Sequence, residues 1–403
     1  MNKVKIINIV FLATVLLSII GSFLGQWILD YTNNYTMILL FSQIILVLPS
    51  ILYLAFSKTS IVKAIRFKKI KGSNIILVIL FSYLISPLMT LINAISMLFV
   101  KNDTAGFMEN IVGNNGFIIS LFLIAFIPCI FEETVYRGIF YNEYRKISPL
   151  KGILLSAFLF GIMHMNFNQF SYAFAMGIIF ALLIEATDSI LSTMIVHFFI
   201  NGTSVLIMHL YPKMIDLLQK TYGPDFFNSG DSLESIQANF NMDINFIIQT
   251  YGLPALIGTI LAFIVFRAIA KNTGRWNFIK GIFKKGGNLE QSLMEGPEGI
   301  TNFKIPQGNN EDNVNSYGYN KADNYDMVDV QNNINDVEQY KQGLDENHPV
   351  YYQKKRLITI SLLIGIIICF VLMISGEIMS QMPDPTIDNI SISVSIDRNH
   401  NHL

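Results

Sequence analysis

Three apolar stretches of the sequence are interrupted by polar side chains of the kinds that carry out acid–base chemistry. A carboxylate can take a proton from water as a general base, which is worth about 10² to 10⁴ in rate. Imidazole and carboxamide N–H groups can stabilise a tetrahedral oxyanion, worth on the order of 10² to 10³ for each donor. Such groups are costly, and usually functional, if the stretches lie in a bilayer. The candidates are Glu132, Glu133, Arg137, His164, His197 and Asn201.

Spacing predicts which of these side chains share a helix face. Glu133 and Arg137 are four residues apart, so they can pair. Glu132 is rotated away from that face by about 100° and is left for another partner. His197 and Asn201 are also four apart, so one face presents an imidazole and a carboxamide together.

The level of the polar groups within their helices can be estimated from the helical rise of about 1.5 Å per residue. Glu132 and His164 then lie about 21 and 22 Å from the predicted inner turns, and His197 and Asn201 about 12 and 18 Å. Pro128, four residues before Glu132, is expected to free a carbonyl and kink the helix, opening room beside the carboxylate. The groups are expected at a similar level, although spacing leaves open whether they meet.

Each group also has a simpler structural interpretation. Glu133 and Arg137 alone fit a structural ion pair, a single intramembrane histidine often serves packing, and an asparagine in a span often joins helices. Convergence of the candidates on a similar depth favours a water-activating site. No G-x-S-x-G elbow or H-E-x-x-H zinc motif is present.

Composition predicts a polytopic membrane protein. The chain has 403 residues, of which 52% are hydrophobic and only 14% charged, whereas about a quarter of an ordinary globular domain is charged. The net charge of −1 favours no nucleic-acid partner. Cys129 and Cys369 both lie in apolar runs, so neither a disulfide framework nor a cysteine metal site is expected.

The apolar runs predict an all-α, multi-pass transmembrane bundle of about nine spans. The first run is too long for a typical signal peptide and is interpreted as an uncleaved span. Lysine and arginine cluster before the first span and after the second, fourth and eighth, which predicts a cytoplasmic N-terminus. The predicted spans are 6–29, 36–56, 74–100, 117–141, 150–165, 171–186, 190–211, 246–270 and 357–376.

Five regions follow from this pattern. Residues 286–356 are rich in Asn, Asp, Gln and Gly, which predicts a disordered cytoplasmic linker. The regions are the N-terminal spans (1–114), a core with the polar groups (115–211), an extracytoplasmic loop with the eighth span and its basic flank (212–285), the linker (286–356), and the ninth span with its tail (357–403).

Three motifs in order resemble one known family. E-E-x-x-x-R is Glu132, Glu133 and Arg137; F-x-x-x-H is Phe160 and His164; H-x-x-x-N is His197 and Asn201. Residues 115–205 are thereby similar to the CPBP family, which includes CAAX prenyl protease type II, lysostaphin-resistance protein A-like proteins, and bacteriocin-processing and immunity proteins. The linker and the ninth span lie outside that core.

The resemblance implies an intramembrane endopeptidase. By analogy Glu132 activates water with help from His164, Glu133 and Arg137 support the site, and His197 and Asn201 form the oxyanion side. The family was first described as metalloproteases, so Zn²⁺ is possible and would be held by Glu132, His164 and His197. The close ligand pairs of a dedicated zinc site are missing, and the need for metal stays open.

The expected function is hydrolysis of a peptide bond in a membrane or membrane-proximal substrate, by a multi-pass protein of the cell membrane. Its partners would be that peptide or protein and the lipid bilayer. One alternative is a non-catalytic membrane scaffold or bacteriocin-immunity protein with the same fold. A transporter with the buried Glu and His as a proton relay is less favoured, because no clear internal repeat is present.

Overall fold

The structure is a computed structural model that describes residues 3–57, 60–102, 104–223, 243–283 and 357–381. Within these ranges the chain is helical apart from short turns and contains no strand, which confirms the all-α prediction. The predicted disordered linker, residues 286–356, and the part of the predicted tail beyond residue 381 lie outside the described residues.

The described part of the chain contains fourteen α-helices and three π-helical segments, and each π-helical segment is continuous with its neighbours. In chain order the helices are α1 (Lys3–Thr32), α2 (Tyr35–Phe56), α3 (Ile61–Ala64), α4 (Gly72–Ser96), α5 (Thr104–Ser120), α6 (Ile127–Glu133), α7 (Asn142–Tyr144), α8 (Pro149–Ile162), α9 (Phe167–Thr187), α10 (Ile190–Tyr222), α11 (Ile244–Ile247), α12 (Leu253–Asn272), α13 (Trp276–Ile282) and α14 (Ile360–Gln381). The π-helical segments are π1 (Leu121–Phe126), π2 (Thr134–Tyr141) and π3 (Ile248–Gly252).

Eight helices in the described part of the chain are long and apolar enough to cross a membrane. They correspond to eight of the nine predicted spans, and the chain is a multi-pass membrane protein. The remaining prediction, 150–165, falls on α8, which has only 14 residues. Helix α8 ends at Ile162, and the turn that follows has Met165 in the left-handed region, at a φ of 52°. Asn166 then caps α9, its side chain accepting from the Gln169 N–H.

Close helix contacts are made where glycine lets two backbones approach, as is usual in membrane bundles. A Cβ added at Gly258 of α12 would lie 2.5 Å from the carbonyl oxygen of Leu84 in α4. A Cβ at Gly177 of α9 would lie 2.6 Å from Cα of Ala157 in α8. Larger side chains at either glycine would therefore push these helix pairs apart.

A buried polar cluster joins the last helix to the first. The Asn8 side chain in α1 donates to the Leu357 carbonyl at 2.8 Å and to the Thr359 hydroxyl at 3.0 Å, just before α14. The Tyr144 hydroxyl in α7 donates to Asn8 Oδ1 at 2.7 Å. The ninth predicted span is thus docked on the bundle through hydrogen bonds as well as apolar packing.

Three basic loops meet around one buried carboxylate, Glu185 near the end of α9. Arg145 binds it with two hydrogen bonds of 2.6 and 2.7 Å, and Arg66 and Arg275 lie 3.3 and 3.2 Å from its oxygens. Burial lowers the pKa of Arg66 to about 10, so its guanidinium is still charged at neutral pH. Asp188 pairs with Arg66 and Lys68. The loops that carry these arginines therefore lie at the same end of the bundle.

Candidate active site

The candidate site is built around a local defect in the long helix that runs from residue 117 to 144, after a kink at Gly116. An α-helix would pair the Ile124 carbonyl with the N–H of residue 128, but Pro128 has no N–H to donate. Asn201 of α10 donates to that carbonyl instead, with Nδ2 and O 3.1 Å apart. Pro128 therefore leaves the Ile124 carbonyl available, as the sequence predicts, and the hydrogen bond to this carbonyl holds the Asn201 side chain in position.

Two π-helical segments flank the glutamates. Segment π1 ends just before α6, which carries Glu132 and Glu133, and π2 begins directly after Glu133. Arg137 lies within π2. Such wide turns are rare and occur frequently at functional sites, because they re-aim side chains relative to a regular helix.

Glu133 is the buried centre of an ion-paired group. Its side chain has no exposed surface, and its Oε1 lies 3.2 Å from Arg137 Nη1 and 3.0 Å from His197 Nδ1. The predicted pairing with Arg137 is present in the structure. The contact with His197 joins the first motif to the third and was not predicted from the sequence.

Arg137 is held by aromatic rings as well as by Glu133. Its guanidinium carbon lies 4.1 Å from the centre of the Phe160 ring and 5.0 Å from that of Phe180. The Phe160 carbonyl in turn lies 2.8 Å from His164 Nδ1. Phe160 therefore links the second motif to the first, through its ring, and orients His164 through its backbone.

Glu132 occupies a different environment from its neighbour. Its side chain is 14% exposed, whereas that of Glu133 is fully buried. Its Oε2 lies 3.9 Å from His197 Nε2, and its Oε1 lies 3.5 Å from Nε2 of Gln43 in α2. The two carboxylate oxygens of Glu132 thus have different neighbours.

The hydrogen bonds fix where each imidazole carries its proton. An ionised carboxylate and a carbonyl can only accept, so His197 Nδ1 donates to Glu133 and His164 Nδ1 donates to Phe160. In the neutral rings both Nε2 atoms are then acceptors. His197 can therefore donate to an oxyanion, the role that the family resemblance implies, only after it has taken a second proton.

The predicted residues are not all in direct contact. Glu132, Glu133, Arg137 and His197 form one contacting group, while Asn201 reaches it through the Ile124 carbonyl and His164 through Phe160. Within the described ranges, no three His, Cys, Asp or Glu side chains are grouped closely enough to hold a metal ion. Glu132, His164 and His197, the ligands predicted for a possible Zn²⁺, are therefore not assembled as a metal site.

The fold and this geometry define a class of protein: a multi-pass helical membrane protein with carboxylates, imidazoles and an amide gathered inside the bundle. Residues 114–203, which contain all three motifs, match the family model described as type II CAAX prenyl endopeptidase Rce1-like. This segment is about a fifth of the chain, and its match supports the resemblance of residues 115–205 to the CPBP/CAAX protease family. No curated protein and no solved structure matches the chain.

Proposed function

We propose that the protein is an intramembrane endopeptidase that hydrolyses a peptide bond of a membrane or membrane-proximal substrate with a water activated by Glu132. The observation that carries this proposal is the pair formed by Glu132 Oε2 and His197 Nε2, which are 3.9 Å apart. The match to a family of peptide hydrolases supports the reaction class.

The spacing of the pair suits a bound water molecule. With Nδ1–H of His197 donating to Glu133, both Nε2 and the Glu132 oxygen are acceptors and gain nothing from direct contact. A water can donate one hydrogen to each of them and direct its lone pair outward. That lone pair is then available to attack a carbonyl carbon.

The proposed reaction balances without any other reactant. Glu132 takes a proton from the water as its oxygen bonds to the carbonyl carbon, and the carbonyl oxygen becomes an oxyanion. The C–N bond then breaks, and Glu132 returns the proton to the leaving nitrogen. The products are a new carboxyl terminus and a new amino terminus.

The other site residues support this step. Asn201 Nδ2 carries two hydrogens and uses one on the Ile124 carbonyl, so the second is free to stabilise the oxyanion. Glu133, held by Arg137, fixes the tautomer of His197. His164 offers a further acceptor for water at Nε2, in line with the role that the family resemblance implies.

We propose the cell membrane as the location of the protein.

The test compares the termini of membrane proteins in cells that make wild-type protein, Glu132→Gln or Glu143→Gln. Glu132→Gln keeps the shape of the side chain but cannot accept the proton. The new termini that wild-type cells produce should therefore be absent from cells that make this variant, although the variant itself accumulates to near-normal levels. Glu143→Gln is the matched control, because it removes a glutamate from α7 whose one ion pair among the described residues is with the half-exposed Lys146.

Glu143→Gln should leave the same termini as the wild type. Full cleavage by Glu132→Gln would refute the proposal and favour the non-catalytic scaffold. Loss of cleavage in both variants would also count against it, because the effect would not depend on the proposed base.

A further inference from the structure

Gln43 is a polar residue that no motif contains, and it lies against the candidate base. It belongs to α2, outside the segment 114–203 that matches the family. Its residue surface is only 8% exposed, and its Nε2 lies 3.5 Å from Glu132 Oε1. A glutamine in a mostly apolar helix therefore reaches the oxygen of Glu132 that does not face His197.

The orientation of the Gln43 amide follows from charge. Its NH₂ group must face the Glu132 carboxylate, because the reverse orientation would set two acceptors against each other. The amide oxygen is then directed elsewhere. This Oε1 atom is buried and has no hydrogen-bond partner among the described residues.

An unsatisfied buried acceptor is unusual, since most buried side-chain polar atoms in proteins have a partner. Here it sits on the same amide group that contacts the candidate base, and so close to the place where a substrate would react. A peptide main chain supplies N–H donors that match such an acceptor, whereas a lipid acyl chain does not.

We propose that Gln43 is a substrate-positioning residue, which orients Glu132 through Nε2 and accepts a main-chain N–H of the peptide substrate through Oε1. This inference rests on the proposed function. It adds that α2, outside the family segment, completes the site and selects substrates with a free peptide N–H beside the bond that is cut.

A purely structural role is the competing explanation, because glutamine often joins helices inside membranes. Such a role predicts that an isosteric apolar residue would be tolerated and that substrate binding would not change. The separate effects on kcat and KM distinguish the two roles.

The experiment uses Gln43→Met, which keeps the length of the side chain and removes the amide. Ser50→Ala is the matched control, since Ser50 is also buried in α2, and its hydroxyl also lacks a partner among the described residues. The probe is a synthetic peptide that spans a cleavage site mapped by the comparison of termini, assayed with purified full-length protein. Glu132→Gln is measured alongside.

Loss of a hydrogen bond to a charged group corresponds to about 10- to 100-fold in rate. We expect Gln43→Met to lower kcat/KM by about this factor, with kcat reduced and KM raised, while Ser50→Ala stays within about twofold. Gln43→Glu, which also loses the donor, is a second variant in case Gln43→Met accumulates poorly, and it should lower kcat similarly.

The outcomes separate the inference from the proposed function. Wild-type kcat/KM in Gln43→Met, together with an inactive Glu132→Gln, overturns the role of Gln43 alone. An unchanged KM in Gln43→Met overturns the contact with the substrate. Full activity of Glu132→Gln instead overturns the proposed function itself.

Discussion

The buried group around Glu133 allows a quantitative prediction for Glu133→Gln. The side chains of Glu133 and Arg137 are 0% and 1% exposed, so the substitution leaves a buried guanidinium without its anion. Breaking a buried pair in this way costs about 3 to 5 kcal/mol of folding free energy. The rings of Phe160 and Phe180 contact Arg137 in both forms, so they offset none of this loss.

The assay can use the two cysteines of the chain as reporters. Cys129, in α6, is 4% exposed and Cys369, in α14, is 0% exposed. Labelling of these thiols during unfolding in mixed detergent micelles gives the free energy of unfolding reported from α6, which carries the glutamates, and from a second helix, α14. Glu143→Gln is the control, because the Glu143–Lys146 pair is half exposed at the lysine and should contribute no more than about 1 kcal/mol.

The interpretation also predicts a rescue. Adding Arg137→Met to Glu133→Gln removes the unpaired charge and should recover part of the lost stability, with a coupling of about 0.5 to 3 kcal/mol between the two changes. A Glu133→Gln protein within about 1 kcal/mol of wild type would refute the reasoning. Additive effects in the double variant would refute it equally, because the pair would then not be coupled.

Three further predictions concern the supports of the site. Pro128→Ala supplies an N–H that competes with Asn201 for the Ile124 carbonyl, so kcat should fall while thermal stability holds or rises; an unchanged kcat would contradict this. Asn201→Leu leaves that carbonyl without its side-chain donor, so it should lower the free energy of unfolding by about 1 to 3 kcal/mol and also lower kcat. An unchanged free energy of unfolding, measured by thiol labelling, would contradict this. Truncation at residue 356 deprives Asn8 of Leu357 and Thr359, so it should lower stability but preserve turnover per folded molecule, and loss of all turnover would contradict it.

Local patterns in the sequence predicted much of the site, because its elements act over one helical turn. The pairing of Glu133 with Arg137 and the different facing of Glu132 both follow from residue spacing. The freed carbonyl follows from the chemistry of Pro128. The resemblance to the CPBP family followed from three motifs of this kind, and the match of residues 114–203 to the family model supports it.

Contacts between distant elements were not predictable from spacing. Gln43 has no polar neighbour three or four residues away, so nothing in its sequence surroundings signals the contact with Glu132. The bond between Glu133 and His197 depends on how the long helix crosses α10, which spacing does not determine. A lone glutamine in an apolar span was the one available signal, and such a residue is more often a helix contact than a site residue.

The buried carboxylate Glu185 shows why the family segment depends on the rest of the chain. Glu185 and Arg145 lie within residues 114–203, but Arg66 and Arg275, which also bind Glu185, lie outside. A fragment limited to the predicted core would retain the carboxylate and lose two of its three arginines, which leaves a buried charge poorly compensated. The flanking loops therefore stabilise the end of α9, and α9 in turn contributes Phe180 to the support of Arg137. One helix thus carries both the carboxylate at the centre of this charge cluster and a ring that contacts Arg137.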